Sequence, residues 1–251
     1  MKYPTHNSQV RSLQIINHIL ALYGLWYAIN VDASLLLVSI ATYWAIGILG
    51  INVGYHRLLS HRSFKTGSII EKILSIVGVI TVVGSPLAWV AVHRQHHRLA
   101  ERPGDPHSPY ILGNWRAWFG IWDMPKLDLK LVRDLRENSF QRTLHKKYLL
   151  IIISWVMILF LIDPLLIIFL FAIPACLCLH STSAIIVIAH RHGYRPYPDV
   201  KDQSRNSWIA NLITLGEGWH NTHHAKPYAW NNQERWWEFD IPAYIIRLIK
   251  Q

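Results

Sequence analysis

Four long runs of apolar residues alternate with polar, histidine-rich stretches along the chain. They cover approximately residues 13–30, 33–55, 148–162 and 165–189. A helix needs about 20 apolar residues to cross a hydrocarbon core of roughly 30 Å, and a shorter run such as the third can span where lysines snorkel at its end. The pattern predicts an all-α, integral membrane four-helix bundle, with stretches 56–147 and 190–251 forming one helical cap.

A further apolar segment, residues 69–92, is interrupted by charged residues, glycines and Pro86. If it crossed the membrane, the histidines before and after it would lie on opposite sides. We therefore expect an interfacial or re-entrant helix here. On this interpretation the whole chain, residues 1–251, forms a single membrane domain.

Composition supports lipid as the surroundings. Hydrophobic residues make up 51% of the chain and charged residues only 16%, against about 25% in soluble domains. The formal charge is +10, yet residues 13–56 and 148–190 contain no Lys or Arg. The positive-inside rule accounts for this placement, so we expect a basic cytosolic face with both termini on it, and no nucleic-acid partner. Cys176 and Cys178 lie in an apolar run and are interpreted as small core residues.

Histidine is the residue type that carries the chemistry. Nine of the 15 histidines are clustered: His56, His61, His93, His96, His97, His190, His220, His223 and His224. Two clusters share the spacing His-x-x-His-His, which puts imidazoles at i, i+3 and i+4 on one side of a helix. Four spans would bring all nine to the same membrane face. Nine imidazoles suit two metal ions with four or five ligands each, and iron, copper and zinc all accept such ligands.

Other polar residues can support these ligands. Carboxylates are scarce nearby, which argues against a ferritin-like carboxylate centre. The supporting residues that we expect around the imidazoles are Asp105, His107, Glu217 and Asn221, because the second ring nitrogen of a ligating histidine needs a partner. The histidines that we do not expect to bind metal are His6, His18, His107, His145, His180 and His192.

Three histidine motifs, with their flanks, resemble those of a known family. His56-Arg-Leu-Leu-Ser-His61, His93-Arg-Gln-His96-His97 and His220-Asn-Thr-His223-His224 resemble the three histidine boxes of the membrane fatty-acid desaturases. Most similar is the Δ9 branch that contains stearoyl-CoA desaturase, with further matches at Trp89-Val90, 105–109, 189–197, 204–208 and 216–220. The resemblance implies two iron ions held by the nine histidines. It also implies that O₂ and two electrons are used to insert a cis double bond, at Δ9, into a saturated acyl chain.

Two sites depart from the animal members of that branch. Those enzymes have an Asn four residues before the equivalent of His190, where it helps to hold a water at one iron, and this chain has Ile186. Charged residues before the second box contact the coenzyme A head group in those enzymes, and this chain has Ala91 and Val92. The acyl carrier thus stays open between CoA, a membrane lipid and a carrier protein.

Two other functions are alternatives to a desaturase. A hydroxylase or ketolase would share the histidine architecture and insert oxygen into the lipid. A membrane zinc hydrolase would be expected to show His-Glu-x-x-His, and this motif is absent from the sequence.

An apolar channel is needed to orient the acyl chain. All methylenes of an acyl chain are chemically alike, so orientation must select the one that reacts. We expect the second span to line an apolar channel, with Trp44, about three turns before His56, at its closed end.

Electrons for the reaction must come from another protein, because the chain shows no Cys cluster, cytochrome b5-like region or flavin motif. An external ferredoxin, rubredoxin or cytochrome b5 is therefore expected to dock on the basic face.

Overall fold

The computed structural model describes residues 8–120 and 127–251. Within these ranges every regular element is a helix, and the only β pairing consists of isolated bridges that join Tyr194 to Asn206 and Asn206 to Trp219. The expected all-α class is confirmed. The expectation for His6 lies outside the described residues.

Fourteen α-helices, two π-helices and one 3₁₀-helix follow one another in the described ranges. They are α1 Ser8–Asn30, α2 Ser34–Ile46, a π-helix Gly47–Ser60, α3 Ser68–Ile80, α4 Pro86–Leu99, α5 Pro109–Leu112, α6 Asn114–Phe119, a 3₁₀-helix Leu129–Val132, α7 Arg133–Glu137, α8 Ser139–Lys146, α9 Tyr148–Ile162, α10 Leu165–Ile167, a second π-helix Ile168–Ala172, α11 Ile173–Ile188, α12 Trp208–Thr214, α13 His220–Ala225 and α14 Ile241–Ile249.

Three described helices are long and apolar enough to cross a membrane. They are Val10–Asn30, Ser34–Ser60 and Leu165–Ile188. A fourth candidate is the pair α8 and α9, which is bent by 70° at the junction between its two helices. Large apolar side chains stand exposed on these helices, for example Leu22 on α1 and Leu161 on α9, which is 77% exposed. Such a surface suits contact with lipid tails, as expected of a membrane protein.

The second span extends further than the sequence indicated. We expected it to end at residue 55, but α2 continues without a break into the π-helix Gly47–Ser60, so that His56 lies inside the helix. This π-helix packs closely on α3. A Cβ on Gly50 would lie 2.8 Å from the Cα of Gly78. Glycine at position 50 is therefore what allows the two backbones to approach so closely.

The segment 69–92 forms two short helices, α3 and α4, joined by a turn. With 13 and 14 residues respectively, each is shorter than a bilayer-spanning helix. Ser85 caps α4 by accepting a hydrogen bond from the Ala88 N–H, and Pro86 occupies the first turn. An N-cap serine followed by a proline in the first turn favours the start of a helix at this point. This helix, α4, carries the histidine motif that begins at His93.

Cys176 and Cys178 are both free thiols, buried within α11. Their placement agrees with the expectation that they are core residues.

Candidate metal centre

The nine clustered histidines form two adjacent groups. In each group, one ligand nitrogen of every member lies within 4.8 Å of those of the others. The five-histidine group contains His56, His61, His93, His97 and His223, and the four-histidine group contains His96, His190, His220 and His224. The structure therefore brings together all nine histidines that the sequence singled out.

Each His-x-x-His-His motif contributes to both groups. On α4, His93 and His97 are one turn apart and belong to the five-histidine group, while His96 points into the other. The motif on α13 divides in the opposite sense, with His220 and His224 in the four-histidine group and His223 in the five-histidine group. Neither motif holds an ion alone. The arrangement is two groups, each built from both motifs, with the five and four histidines that two ions were expected to share.

The π-helix explains how His56 and His61 meet. Residues five apart on an α-helix are separated by about 140° around its axis. Bonds of the i→i+5 type put more residues into each turn and reduce that angle, and the His61 N–H donates such a bond to the His56 carbonyl. The two imidazole centroids lie 4.9 Å apart. Both rings can thus serve the same group.

The donor atoms fit metal ions. The Nε2 atom of His223 lies 3.0 Å from the Nε2 atoms of both His56 and His97, and the Nε2 atoms of His61 and His93 are 2.7 Å apart. A neutral imidazole has one N–H and one lone pair, so these close approaches cannot all be hydrogen bonds. The Nε2 of His96 is buried without a hydrogen-bond partner. Lone pairs that converge in this way suit borderline transition metals such as iron, copper or zinc.

The protonation states agree with metal binding. Burial and the neighbouring imidazoles lower the pKa well below its usual value in His93, His97, His220 and His223. Burial is also the main cause that lowers the pKa of His224 to about 4. These five imidazoles are therefore neutral at pH 7, as metal ligation requires.

Carboxylates contact the outer ring nitrogen of four ligands. The four Nδ1–carboxylate pairs are His56–Glu217 at 2.7 Å, His96–Asp105 at 3.0 Å, His190–Glu101 at 3.1 Å and His224–Asp202 at 2.7 Å. A carboxylate accepts a hydrogen bond from Nδ1–H, which holds the proton on Nδ1 and leaves the Nε2 lone pair for the ion. Glu217 and Asp105 were expected to play this part.

Sequence reasoning missed two of these four partners. These are Glu101, the partner of His190, and Asp202, the partner of His224. They lie 89 and 22 residues from their histidines along the chain, so no spacing rule identifies them. Glu217 stays ionised: burial raises its pKa, but Arg57 and His56 outweigh this and lower it to about 2.

The other two expected supporting residues behave differently. The ring of His107 lies 4.3 Å from that of His96, and His107 N–H donates to Asp105, so His107 does neighbour a ligand. Asn221 was expected beside an imidazole, but its side chain instead bonds the backbone of Tyr197. It follows His220 directly, and a step of one residue turns a helix by about 100°, away from the ligand nitrogens. Asn221 therefore holds a loop rather than a ligand.

An apolar cavity of about 130 Å³ opens beside the two groups. Its walls include Ile51, Trp89, Leu179 and Ile186, and it reaches histidines of both groups. Trp89 also stacks on His93, with 4.9 Å between ring centroids. Trp44, expected at the closed end of a channel, is 39% exposed and is not among the described residues that line this cavity. The structure gives that expectation no support.

The remaining described histidines lie outside the two groups. His18 and His180 face each other inside the bundle, with their Nε2 atoms 3.1 Å apart, and Trp118 Nε1 donates to His180 Nδ1. His145 contacts Ser85 Oγ at 2.6 Å. His192 is exposed.

Comparison with known proteins identifies the class. The family model for fatty acid desaturase matches residues 33–244, so the chain belongs to the fatty acid desaturase family, whose members are oxidoreductases. The resemblance drawn from the histidine motifs is confirmed.

Individual relatives differ in substrate. The chain is 34% identical to the sn-2 palmitoyl-lipid 9-desaturase of Nostoc sp. (strain 36), over 93% of this chain and 83% of that protein. It is 35% identical to the Delta-9 acyl-lipid desaturase 2 of Arabidopsis thaliana, over 83% and 69% of the two chains. It is also 34% identical to the acyl-CoA C20 Delta5-desaturase of Anemone leveillei, over 85% and 70%.

Proposed function

We propose that this protein is a membrane acyl desaturase that inserts a cis double bond at Δ9 into a saturated acyl chain. The observation that carries the proposal is an apolar cavity with imidazoles of both groups in its wall. Two iron ions held by the nine histidines would activate the oxidant, O₂. In the balanced reaction, O₂ would take one hydrogen from each of two adjacent methylenes, together with two electrons from the donor and two protons from solution. Both of its oxygen atoms would then be released as water.

The cavity residues bind and orient the acyl chain. Ile51, Leu179 and Ile186 provide apolar contacts, which favour a hydrocarbon and exclude water. Trp89 makes a rigid wall because its indole is stacked on His93. A chain held in this way presents one pair of methylenes to the imidazole groups, which is how geometry selects between chemically equal positions.

A lipid-bound acyl chain is the carrier that we favour. Ala91 and Val92 stand just before the second histidine motif, and Ala91 is buried, so neither residue offers a charge to a coenzyme A head group. The Nostoc and Arabidopsis relatives are named as acyl-lipid 9-desaturases. The Anemone relative is named as an acyl-CoA Δ5-desaturase. The alternatives to be tested are therefore acyl-CoA as the carrier and Δ5 as the position of the double bond.

Expression in a host that lacks unsaturated lipids tests the function. We expect new cis double bonds at Δ9, located by mass spectrometry, in the intact lipids and not in the acyl-CoA pool. His220→Ala removes a ligand and should abolish them, whereas His192→Ala changes an exposed histidine outside both groups and should not. Equal product from His220→Ala would refute the metal assignment. A gain of one oxygen instead of a loss of two hydrogens would indicate a hydroxylase or ketolase.

We further propose that an external electron donor, a ferredoxin, rubredoxin or cytochrome b5, docks on the cytosolic side near His224. A surface pocket there is lined by Tyr197, Lys201 and His224, so a ligand of the four-histidine group lies beside a positive surface residue. An acidic donor would be steered to such a surface. Lys201→Glu should slow turnover with a saturating acyl substrate and leave the product unchanged. A rate that does not depend on ionic strength would contradict docking by charge.

A further inference from the structure

Arg57 is a buried guanidinium at the end of the second span, and the function proposed above does not use it. Only 1% of the residue is exposed. Its Nε and Nη2 donate to Oε1 of Glu217 at 3.1 and 2.9 Å, its Nη1 to Oδ2 of Asp240 at 2.9 Å, and its remaining contacts are the carbonyls of Trp230 and Gly216. These five contacts match the five N–H donors of arginine.

Glu217 connects this cluster to the metal centre. Its Oε1 accepts from Arg57, and its Oε2 lies 2.7 Å from Nδ1 of His56. The carboxylate is thus fixed in one orientation, in which it accepts a hydrogen bond from Nδ1–H of His56. The Nε2 lone pair of His56 then points toward His223 and the rest of the five-histidine group.

Asp240 connects the cluster to the C-terminal segment. Its Oδ1 accepts from the Ala243 N–H and caps α14, while its Oδ2 accepts from both Arg57 and the Asn232 N–H. Removing the Asp240 carboxylate would leave a buried guanidinium with an unpaired donor, which is costly. Arg57 would then be free to take another position, and Glu217 would lose the contact that orients it.

We propose that Arg57 and Asp240 are positioning residues of the five-histidine group: through Glu217 they set the orientation and the tautomer of His56. One ion of the pair therefore depends on the C-terminal segment, whereas the four-histidine group has carboxylate partners of its own. The inference rests on the proposed binding of two ions.

The test separates positioning from stability with the variant Asp240→Ser. Serine is a good N-cap, so α14 keeps its cap while Arg57 loses its carboxylate. Metal binding is measured on the purified full-length protein by titration with Co²⁺ against a chelator, with the visible spectrum of bound Co²⁺ as a second readout. Two backgrounds separate the groups: His220→Ala removes a ligand of the four-histidine group, and His56→Ala removes the histidine through which Asp240 is proposed to act.

We expect Asp240→Ser to weaken the ion of the five-histidine group by about tenfold, the lower end of the range for residues that support metal ligands. It should alter the Co²⁺ spectrum in the His220→Ala background and have no effect in the His56→Ala background, where the histidine that Glu217 orients is missing. In a chain that already carries Glu217→Gln, Asp240→Ser should cause no further loss of affinity. Arg57→Lys should behave like Asp240→Ser, because lysine cannot bridge two carboxylates with a planar fork.

Other outcomes would overturn the proposal. Unchanged Co²⁺ affinity and spectrum in Asp240→Ser would do so, as would equal losses in both backgrounds, which indicate general destabilisation. If Asp240→Ser does not fold, Arg57→Lys and Asp240→Asn are measured instead, against the same criteria. If the unaltered chain binds no pair of ions, the proposed function itself fails, and this result is distinct because no variant is needed to see it.

Discussion

Replacing Asp202 with Asn should weaken metal binding at the four-histidine group in particular. In the structure, Asp202 Oδ1 accepts from the Ser204 N–H at 2.8 Å, and Oδ2 lies 2.7 Å from Nδ1 of His224. An amide has only one oxygen. If that oxygen keeps the Ser204 bond, the NH₂ group faces Nδ1 of His224, which must then become the acceptor. The proton moves to Nε2, and the lone pair that would bind the ion is lost.

The expected loss of metal affinity follows from the role of Asp202 as the partner of a single histidine. Partners of ligating histidines contribute about 10- to 100-fold to metal affinity, which corresponds to about 1.4–2.7 kcal/mol. His224 is one of four ligands, so we expect one ion to weaken by this factor and the other to remain. Chelator competition with elemental analysis measures it. The matched control is Asp199→Asn, which changes an exposed carboxylate on the same loop and should have no effect. The reasoning would be refuted if Asp202→Asn bound both ions with unchanged affinity.

Three further predictions follow. Gly50→Ala would place a Cβ 2.8 Å from the Cα of Gly78, whereas carbon atoms in contact prefer about 3.5–4.0 Å. This overpacking should lower the free energy of unfolding by about 1–3 kcal/mol and therefore the Tm measured in detergent. Ile186→Trp should fill part of the cavity and shift products toward shorter acyl chains, whereas Trp44→Ala, outside the cavity lining, should leave chain length and double-bond position unchanged in lipid analysis. The pKa of His224 is lowered to about 4 in the folded chain, against about 6.5 in the unfolded chain. The neutral form of His224 therefore contributes fully to the stability of the metal-free fold above about pH 6.5, and this contribution is lost as the pH falls toward 4. A metal-free Tm that does not fall over that pH range would contradict the burial of neutral imidazoles.

Local patterns in the sequence predicted most of the fold and all nine histidines. Long apolar runs predict spans because a helix satisfies its own backbone hydrogen bonds, and the histidine spacings repeat within one or two turns. The carboxylate partners could not be predicted in this way. Glu101 and Asp202 reach His190 and His224 only through the folded chain. The sequence also cannot show which member of a His-x-x-His-His motif joins which group, because that depends on how α4 and α13 face each other.

The π-helix carries both cavity-lining residues and a histidine of the five-histidine group, and no local pattern in the sequence predicted it. It places Ile51 and Asn52 in the cavity wall, and its last turns carry His56. Asn52 also donates to the Thr214 carbonyl at 3.0 Å, which fixes this helix against the segment that leads to the third histidine motif. A shift of the helix would therefore move a wall of the cavity and His56 together. If the acyl chain lies in this cavity as proposed, the register of this helix sets the distance between a bound methylene and the five-histidine group. Residues in its inner wall, rather than Trp44 on the outer face, are then the ones whose size should decide where the double bond forms.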